Sequence, residues 1–304
     1  MSTLDFTGRS IIVTGAGRGI GREYVRLLAG RGAKVAVVDP GATADGAGLA
    51  GGDPAGEVAD EATAAGGTAV AIRESVATED GARRIVEQTV EAFGGVDAVI
   101  NNAGVLHLAD FEQLGQEEYQ RHLDVHFFGS VWLAKAAWSA LRASGTGRIV
   151  NTISAAMLGN PQMAHYGSSK GAVFGLTRNL AIEGLADGIL VNAVAPGAGG
   201  TRLMEASVAS LPEEIVEYMK TSLLPELVAP VGAYLAHQQA RVTGEVFNVA
   251  GGFVNRMAIV NSGGFHSPDL SVEDVADNFE QIMTMPEGSQ VQAVPQPGET
   301  GGAA

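Results

Sequence analysis

The amino-acid sequence predicts an α/β protein built on one doubly wound, parallel sheet of seven strands with helices on both faces. Short apolar, β-branched runs alternate with segments of helical periodicity along most of the chain. The first apolar run passes directly into a glycine-rich turn, and a helix and a second apolar run follow. Glycine is abundant at 42 of 304 residues and aromatic residues make up only 6%, which favours tight strand-to-helix turns over a β-sandwich.

The composition excludes several classes of protein and site. The absence of cysteine excludes disulfides, thiolate nucleophiles and cysteine-based metal sites. A net charge of −15 argues against nucleic acid as a partner, because phosphate binding needs a basic face. No apolar run approaches the roughly 20 residues of a membrane span, and neither terminus carries a signal-peptide, peroxisomal or endoplasmic-reticulum pattern. We therefore expect a cytoplasmic protein with no membrane partner.

The first elements form a strand–turn–helix–strand unit. Ser10–Thr14 is predicted to be a buried strand, and Lys34–Val38 is the next strand. The turn between the first strand and its helix contains the residues expected to hold a dinucleotide: Gly15, Gly17, Arg18, Gly19, Ile20 and Gly21. Glycines let the backbone approach a diphosphate, and the amides at the start of the helix face the anion. This order predicts a Rossmann-type, nucleotide-binding fold.

Asp39, at the end of the second strand, indicates which cofactor binds. A carboxylate there can accept hydrogen bonds from the adenosine ribose, and its charge would repel a 2′-phosphate. NAD is therefore favoured over NADP. Taken alone, Asp39 could instead be a capping or solvated acid.

The alternation continues through the middle of the chain. Residues 40–56 form a long exposed loop that either closes over the adenosine or is a simple insertion. Ser75 and Val76 follow the third strand and could meet the adenine, although Ser75 could equally cap the next helix. The remaining predicted strands are 68–72, 96–100, 147–151, 188–194 and 245–249, and the main helices are 57–65, 78–93, 117–141, 164–185, 211–222 and 226–236.

Two further motifs supply candidate site residues, one at a predicted strand end and one on a predicted helix. Asn101, Asn102, Ala103 and Gly104 suit a strand end that bonds its neighbours and leaves room for a ligand, or else a plain asparagine-rich turn. Tyr166 and Lys170 are four residues apart and share one face of a predicted helix. A nearby ammonium would lower the phenol pKa from about 10 and suit it to proton transfer, although a solvated pair is the alternative.

The chain is expected to form one domain over residues 1–285. After Gly252 we predict only one helix, 271–283, which begins with a cap of Ser271 and Asp274. Residues 286–304 are rich in Pro, Gly and Gln, and we expect this tail to be disordered.

These motifs, taken in order, resemble the short-chain dehydrogenase/reductase family over about residues 6–252. They are Thr14–Gly21 (T-G-A-G-R-G-I-G), Asn101–Gly104 (N-N-A-G), Ser154 upstream of Tyr166-x-x-x-Lys170, and Ala195-Pro196-Gly197. The resemblance implies that Tyr166 is the general acid or base and that Lys170 binds the nicotinamide ribose and lowers the Tyr166 pKa. It also implies that Ser154 bonds the substrate oxygen, that Asn101, Ser75 and Val76 contact the cofactor, and that Val194, Pro196 and Gly197 flank the nicotinamide.

A narrower likeness is to the (3R)-hydroxyacyl-CoA dehydrogenase subgroup of peroxisomal multifunctional enzymes, carried by segments such as Val125-His126 and Leu180–Gly184. Two departures from the family pattern matter. His126 stands where most members have a relay asparagine, and it is either a relay element or a packed helix residue. Ser154 lies one residue nearer Tyr166 than is usual, so either the loop is shortened or Ile153 holds the serine position; we favour the shortened loop.

These inferences lead to an NAD-dependent oxidoreductase acting on a secondary alcohol or its ketone, with 3-hydroxyacyl-CoA or a hydroxysteroid as the expected substrate. Arg202 and Arg256 could hold CoA phosphates; Met157, Leu158, Met163, Leu203 and Met204 could line an apolar cleft. The rivals are a non-catalytic NAD sensor and an enzyme of another small carbonyl, such as a sugar or terpenoid. The other histidines show no ligand spacing, so no metal is expected. We expect a homodimer or homotetramer.

Overall fold

One mixed sheet organises the computed structural model, which describes residues 3–198, 212–285 and 291–298. The strands are β1 Ser10–Thr14, β2 Lys34–Val38, β3 Thr68–Ile72, β4 Ala98–Asn101, β5 Arg148–Thr152, β6 Leu190–Gly197, β7 Val246–Ala250 and β8 Phe253–Met257. Their order is β3-β2-β1-β4-β5-β6-β7-β8, and β1 to β7 are parallel. The predicted α/β class and its parallel, doubly wound sheet are confirmed.

Helices cover both faces of this sheet. They are α1 Gly19–Ala29, α2 Pro54–Ala64, α3 Glu79–Phe93, α4 Gln116–His122, α5 Gly129–Ala143, α6 Ala164–Gly184, α7 Glu213–Ser222, α8 Ala229–Ala236, α9 Val272–Asp277 and α10 Phe279–Met283. A π-helical segment, Leu123–Phe128, joins α4 to α5. Within the described residues, none of these helices is long and apolar enough to cross a membrane.

Alternation along the strands divides the core into two layers. In β1, Ile11 and Val13 face a cluster that contains Tyr24 and Leu28 of α1, whereas Ile12 faces the opposite cluster. That second cluster takes residues such as Ile85 of α3 and Leu133 of α5. Apolar residues at successive positions are therefore needed, because both faces of the strand are buried.

The strand order places a crevice at the carboxyl ends of β1 and β4. The chain runs outward from β1 through β2 to β3, and then returns to the other side of β1 to form β4. The loops after β1 and β4 consequently diverge to opposite faces of the sheet. Ligands bind at such a switch point in doubly wound sheets.

An eighth strand corrects the predicted count of seven. Gly251 and Gly252, at φ +55° and +81°, form a two-residue turn that brings β8 antiparallel to β7. The β8 residues are largely exposed, with Phe253 at 67%, so the run lacks the pattern of a half-buried strand. The Gly-Gly pair after a strand is nevertheless a hairpin signal that could have revealed it.

Part of the tail expected to be disordered packs against the body of the protein. Val294 is 3% exposed and lies against Gly244, and the Gln296 side chain accepts from the Thr243 amide at 3.0 Å. One buried valine and paired backbone groups therefore hold residues 291–298 against the domain, while the expected disorder of the tail stays a prediction. Residues 286–290 and 299–304 lie outside the described residues, and the domain boundary at 285 stays a prediction.

Two helix-interior glycines test the packing of α1 against α8. A Cβ added at Gly232 would lie 2.3 Å from the Tyr24 hydroxyl oxygen, whereas one at Gly175 in α6 would meet no atom within 4 Å. We expect Gly232→Ala to lower the free energy of unfolding by about 1–3 kcal/mol through overpacking. Gly175→Ala should raise it by about 0.5–1 kcal/mol, since alanine is the better helix former. Urea denaturation followed by circular dichroism measures both, and equal stabilities would contradict this packing.

Candidate active site

Two adjoining cavities occupy the crevice at the ends of β1 and β4. The first, of about 460 Å³, lies beside β2, β3 and α4. The second, of about 330 Å³, lies beside β5, β6 and α6. Gly15, Asp39 and Gly104 line both cavities. The two cavities therefore form one elongated cleft across the strand ends.

The glycine-rich turn lies where the two cavities meet. Two of its positions, Gly15 and Gly21, leave no room for a side chain. Gly15 has a φ of +60°, and a Cβ on it would lie 2.8 Å from the Cα of Ala103. At Gly21 a Cβ would lie 2.1 Å from the Gly15 carbonyl oxygen. Both glycines bring the turn into direct contact with the loop after β4.

The start of α1 borders the second cavity and lacks a side-chain cap. Arg18 is its N-cap residue and makes no side-chain capping bond, and the first turn holds no acidic residue. By contrast, Asp53 caps α2 and Thr78 caps α3. Arg18, Gly19 and Ile20 line the second cavity. Such an uncapped helix start suits an anion such as a diphosphate.

Asp39 is fixed between the cavities by two backbone amides. One carboxylate oxygen accepts from the Gly17 amide at 3.0 Å, and the other accepts from the Gly41 amide at 2.8 Å. The glycine at position 17 is required here, because a Cβ would lie 2.8 Å from the same carboxylate. Asp39 is thus neither a helix cap nor a freely solvated acid.

The first cavity contains most of the residues expected near an adenosine. Ser75, Val76 and Ala103 line it. The alternative that Ser75 caps α3 is wrong, because the Thr78 hydroxyl accepts from the Gly81 amide as the cap. The loop after β2 also lines the cavity through Thr43 and Gly46. This loop therefore lies over the cleft and is not a detached insertion.

Asn101 was expected to contact the cofactor, but it is Asn102, to which no separate role was assigned, that lines the cleft. Asn101 is 6% exposed and its amide donates to Asn151 inside the sheet at 2.9 Å, so it lines neither cavity. Asn102 lines the second cavity and donates to the Thr14 carbonyl at 2.9 Å. Successive side chains of a strand point to opposite sides, which accounts for the difference. That period could have identified Asn102 from the sequence.

Ser154, Tyr166 and Lys170 converge on the second cavity. Tyr166 and Lys170 come from consecutive turns of α6, and Ser154 begins the 3₁₀ turn Ala155–Leu158 after β5. Ile153 is 1% exposed and packs in the core, so Ser154 and not Ile153 faces the cavity, as the shortened loop requires. The Lys170 ammonium donates to the Thr152 carbonyl at 2.8 Å and lies 5.8 Å from the Tyr166 ring centroid.

The electrostatics of this group differ from the sequence expectation. Burial raises the pKa of Tyr166, and a hydrogen bond with Ser154 opposes that rise. Burial also lowers the pKa of Lys170 to about 7. A lysine of pKa about 7 is uncharged at the high pH where a buried phenol ionises, so Lys170 does not offset the effect of burial on the Tyr166 pKa in this structure.

The rest of the second cavity is mainly apolar. Pro196 and Gly197 of β6 line it together with Leu106, Met163 and Leu223, whereas Val194 is buried behind them. Of the other predicted cleft residues, Leu158 is 73% exposed and Met157 packs on the core cluster of Ile153. Arg256 pairs with Glu245 at 2.5 Å, away from both cavities. Arg202, Leu203 and Met204 lie outside the described residues.

His126 belongs to a buried histidine cluster that sequence reasoning missed. Its ring lies 5.4 Å from the Tyr166 ring and 5.6 Å from the His122 ring, and His122 lies 4.2 Å from His165. None of the three imidazoles is more than 1% exposed, and His126 lines neither cavity. Over the described part of the chain, no group of three or more potential ligands is arranged to hold a metal ion.

Comparison with known proteins gives the family. The short chain dehydrogenase family model matches residues 9–211. A putative short-chain type dehydrogenase/reductase of Mycobacterium tuberculosis is 42% identical over 277 residues, which cover 90% of this chain and 93% of that protein. The chain therefore belongs to the short-chain dehydrogenase family.

Two further relatives extend this result. Peroxisomal multifunctional enzyme A of Dictyostelium discoideum is 42% identical over 280 residues, which cover 92% of this chain but 61% of that enzyme. The chain thus spans less than two thirds of that relative. A structure of 7α-hydroxysteroid dehydrogenase complexed with NADH and 7-oxo glycochenodeoxycholic acid matches with a TM-score of 0.73 and 30% identity, covering 83% of this chain and 98% of that one. The predicted likeness to peroxisomal multifunctional enzymes is confirmed.

Acid should destabilise the protein through its buried histidines. Burial lowers the pKa of His122 to about 4 and that of His126 well below its ordinary value. As the pH falls, the histidines of the unfolded chain bind protons before those of the folded protein do. The free energy of unfolding is therefore highest above about pH 6.5 and decreases toward pH 4, by at most about 1.4 kcal/mol per histidine per pH unit. Urea denaturation at several pH values in this window measures the slope.

His122→Asn is the variant that isolates this effect. The asparagine amide can still donate to the Glu118 carbonyl, as His122 Nδ1 does at 2.7 Å, but it does not titrate. We expect a shallower loss of stability below about pH 6.5 in this variant than in the wild type. His266→Gln, at an exposed position, is the control and should keep the wild-type slope. Identical slopes in all three proteins would contradict the assignment.

Proposed function

We propose that this protein is an NAD-dependent oxidoreductase that interconverts a secondary alcohol and its ketone, with 3-hydroxyacyl-CoA or a hydroxysteroid as substrate. The observation that carries the proposal is the convergence of Ser154, Tyr166 and Lys170 on one cavity. That cavity, of about 330 Å³, shares Gly15 of the glycine-rich turn with the first cavity, of about 460 Å³, and the two together offer room for a dinucleotide.

The residues around the cleft fit a nicotinamide dinucleotide. The uncapped start of α1 and its glycine turn suit the diphosphate, and Asp39 suits a ribose with both hydroxyls free. Ser75, Val76 and Ala103 would hold the adenine end, and Gly104, Pro196 and Gly197 would border the nicotinamide. Bound there, the nicotinamide would supply the acceptor or donor of a hydride.

The protein's own residues would handle the proton. The raised pKa keeps the Tyr166 phenol protonated at neutral pH, so it can donate to a carbonyl oxygen during reduction. The Ser154 hydroxyl, already bonded to Tyr166, would hold the same oxygen. In the oxidation direction the charged form of Lys170 would favour the phenolate, and its pKa of about 7 lets a small change in surroundings set that charge.

The apolar lining supports a bulky apolar substrate. Leu106, Met163 and Leu223 surround the space in front of Tyr166. Both candidate substrates present an apolar body next to the reacting carbon. The relative solved with NADH is a hydroxysteroid dehydrogenase, and the relative from Dictyostelium is a multifunctional enzyme of peroxisomes. Cytoplasmic location and homo-oligomerisation stay predictions from the sequence.

Substitution of Tyr166 tests the reaction. In Tyr166→Phe we expect kcat for NAD reduction to fall by about 100-fold or more, because the proton donor and acceptor is lost. NAD affinity, measured by calorimetry, should stay within about threefold. Ser168→Ala, exposed on the same helix, is the matched control and should keep full activity.

The substrate panel for this assay contains 3-hydroxyacyl-CoA thioesters, hydroxysteroids, sugar alcohols and terpenoid alcohols. Turnover of the first two classes supports the proposal. Turnover of the last two classes alone would reassign the substrate to another small carbonyl. Tight NAD binding without turnover of any member would instead favour the non-catalytic sensor.

Substitution of Asp39 tests the cofactor. In Asp39→Ser we expect kcat/KM with NAD to fall by about tenfold and kcat/KM with NADP to rise, because the ribose acceptor and its repulsive charge are both removed. Asp39→Asn separates the two effects, since its amide oxygen still accepts from one backbone amide while the charge is gone. An unchanged preference for NAD in both variants would show that Asp39 does not select the cofactor.

A further inference from the structure

We infer that His126 and Ser169 form a positioning pair, in which Ser169 fixes the tautomer of His126 and the pair sets the distance between the loop after β4 and Tyr166. The inference rests on the proposed function, because the loop and Tyr166 border the proposed reaction site. It gives His126 a role that carries no proton, and it adds Ser169, to which the sequence patterns assigned no role.

The hydrogen bonds of the pair have only one consistent direction. The Val105 amide donates to His126 Nε2 at 2.9 Å, so Nε2 must be unprotonated. Ser169 Oγ lies 2.7 Å from the Tyr166 carbonyl oxygen, and a carbonyl can only accept, so the serine hydroxyl donates to it. Ser169 Oγ must then accept from His126 Nδ1, at 2.8 Å. A neutral imidazole protonated on Nδ1 therefore satisfies every partner.

A second proton on His126 would break this arrangement. Protonated Nε2 would face the Val105 N–H, donor against donor, in surroundings where the ring is 1% exposed. Burial lowers the pKa of His126, and Lys170, His122 and His165 lower it further because they add only positive charge when they ionise. Tyr166, whose ring lies 5.4 Å away, would add negative charge, but its own raised pKa keeps the phenol protonated at neutral pH. His126 thus stays neutral and is unsuited to carry a proton through the cycle.

The pair connects the two walls of the second cavity. On one side, Val105 lies between Gly104, which lines both cavities, and Leu106, which lines the second. On the other side, Ser169 bonds the carbonyl of Tyr166 itself and directly precedes Lys170. The π-helical segment Leu123–Phe128 carries the imidazole between them, and a Cβ on Gly104 would already lie 3.2 Å from its Nε2.

Two replacements of His126 separate the two halves of the contact. In His126→Gln the amide oxygen can take the place of Nε2 and accept from Val105, but glutamine cannot relay a proton. In His126→Asn the amide nitrogen can take the place of Nδ1 toward Ser169, and the Val105 amide is left unpaired. We expect His126→Gln to keep kcat within about threefold and His126→Asn to lose about tenfold or more, with a raised KM for NAD.

Ser169→Ala tests the tautomer directly. Nitrogen NMR of isotope-labelled histidine should show Nδ1 protonated in the wild type and a shift toward the other tautomer in Ser169→Ala, with kcat lower by about tenfold. Ser130→Ala is the matched control. Its side chain is also buried, and its hydroxyl donates to the backbone carbonyl of His126 at 2.7 Å, not to the imidazole, so its loss should leave the tautomer and kcat unchanged.

The opposite pattern would overturn the inference. If His126 relays protons, His126→Gln should lose about 100-fold in kcat and change the acid limb of the pH profile, while Ser169→Ala stays active. An Nε2-protonated imidazole in the wild type would also refute it. Thermal unfolding of each variant separates loss of fold from loss of positioning. The tautomer is measured without substrate, so failure of the proposed function, seen as no turnover by the wild type, is distinguishable from failure of this pair.

Discussion

The close contact between the turn after β1 and the loop after β4 is the constraint on which the rest of the site depends. The Thr14 hydroxyl accepts from the backbone amides of Asn102 and Ala103, each at 3.0 Å. The Asn102 side-chain amide also donates to the Thr14 carbonyl, at 2.9 Å. Gly15 and Gly21 make this approach possible. Gly15 and Gly104, on the two sides of this contact, line both cavities. The contact therefore fixes the part of the cleft that lies between Asp39 and Tyr166.

The site retains groups that burial makes unfavourable. Lys170 is 3% exposed and its ammonium has the Thr152 carbonyl, not a carboxylate, as its hydrogen-bond partner. Over the described part of the chain, His122 Nε2 is buried without a hydrogen-bond partner. Each such group costs on the order of 1–3 kcal/mol, which the apolar clusters on both faces of the sheet offset. Perturbed groups of this kind concentrate where proteins carry out chemistry.

The strands were predictable because both faces of the sheet are buried, which requires continuous apolar runs. The glycine motif was predictable because the turn after β1 and the loop after β4 approach each other too closely for side chains. Ser154, Tyr166 and Lys170 meet as the motif spacing indicated. The exposed side chains of β8 give no strand pattern, and only the Gly251-Gly252 pair signals its hairpin. No local pattern predicts the packing of Val294 from beyond the last helix. It also could not place His126 against Ser169, since that bond joins residues 43 positions apart through a π-helical segment. Strand alternation could have indicated that the Asn101 side chain points into the sheet and that Asn102 faces the cleft.

The loop after β2 links the two halves of the cleft. Its Ala44 carbonyl accepts from the Leu106 amide at 2.9 Å, and Leu106 belongs to the wall of the second cavity, while the loop itself covers the first. A movement of this loop away from the first cavity would break the hydrogen bond that holds Leu106, a residue of the second cavity's wall. If the loop shifts when one compartment is occupied, the affinity of the other compartment changes, and thermodynamic reciprocity makes the effect equal in both directions.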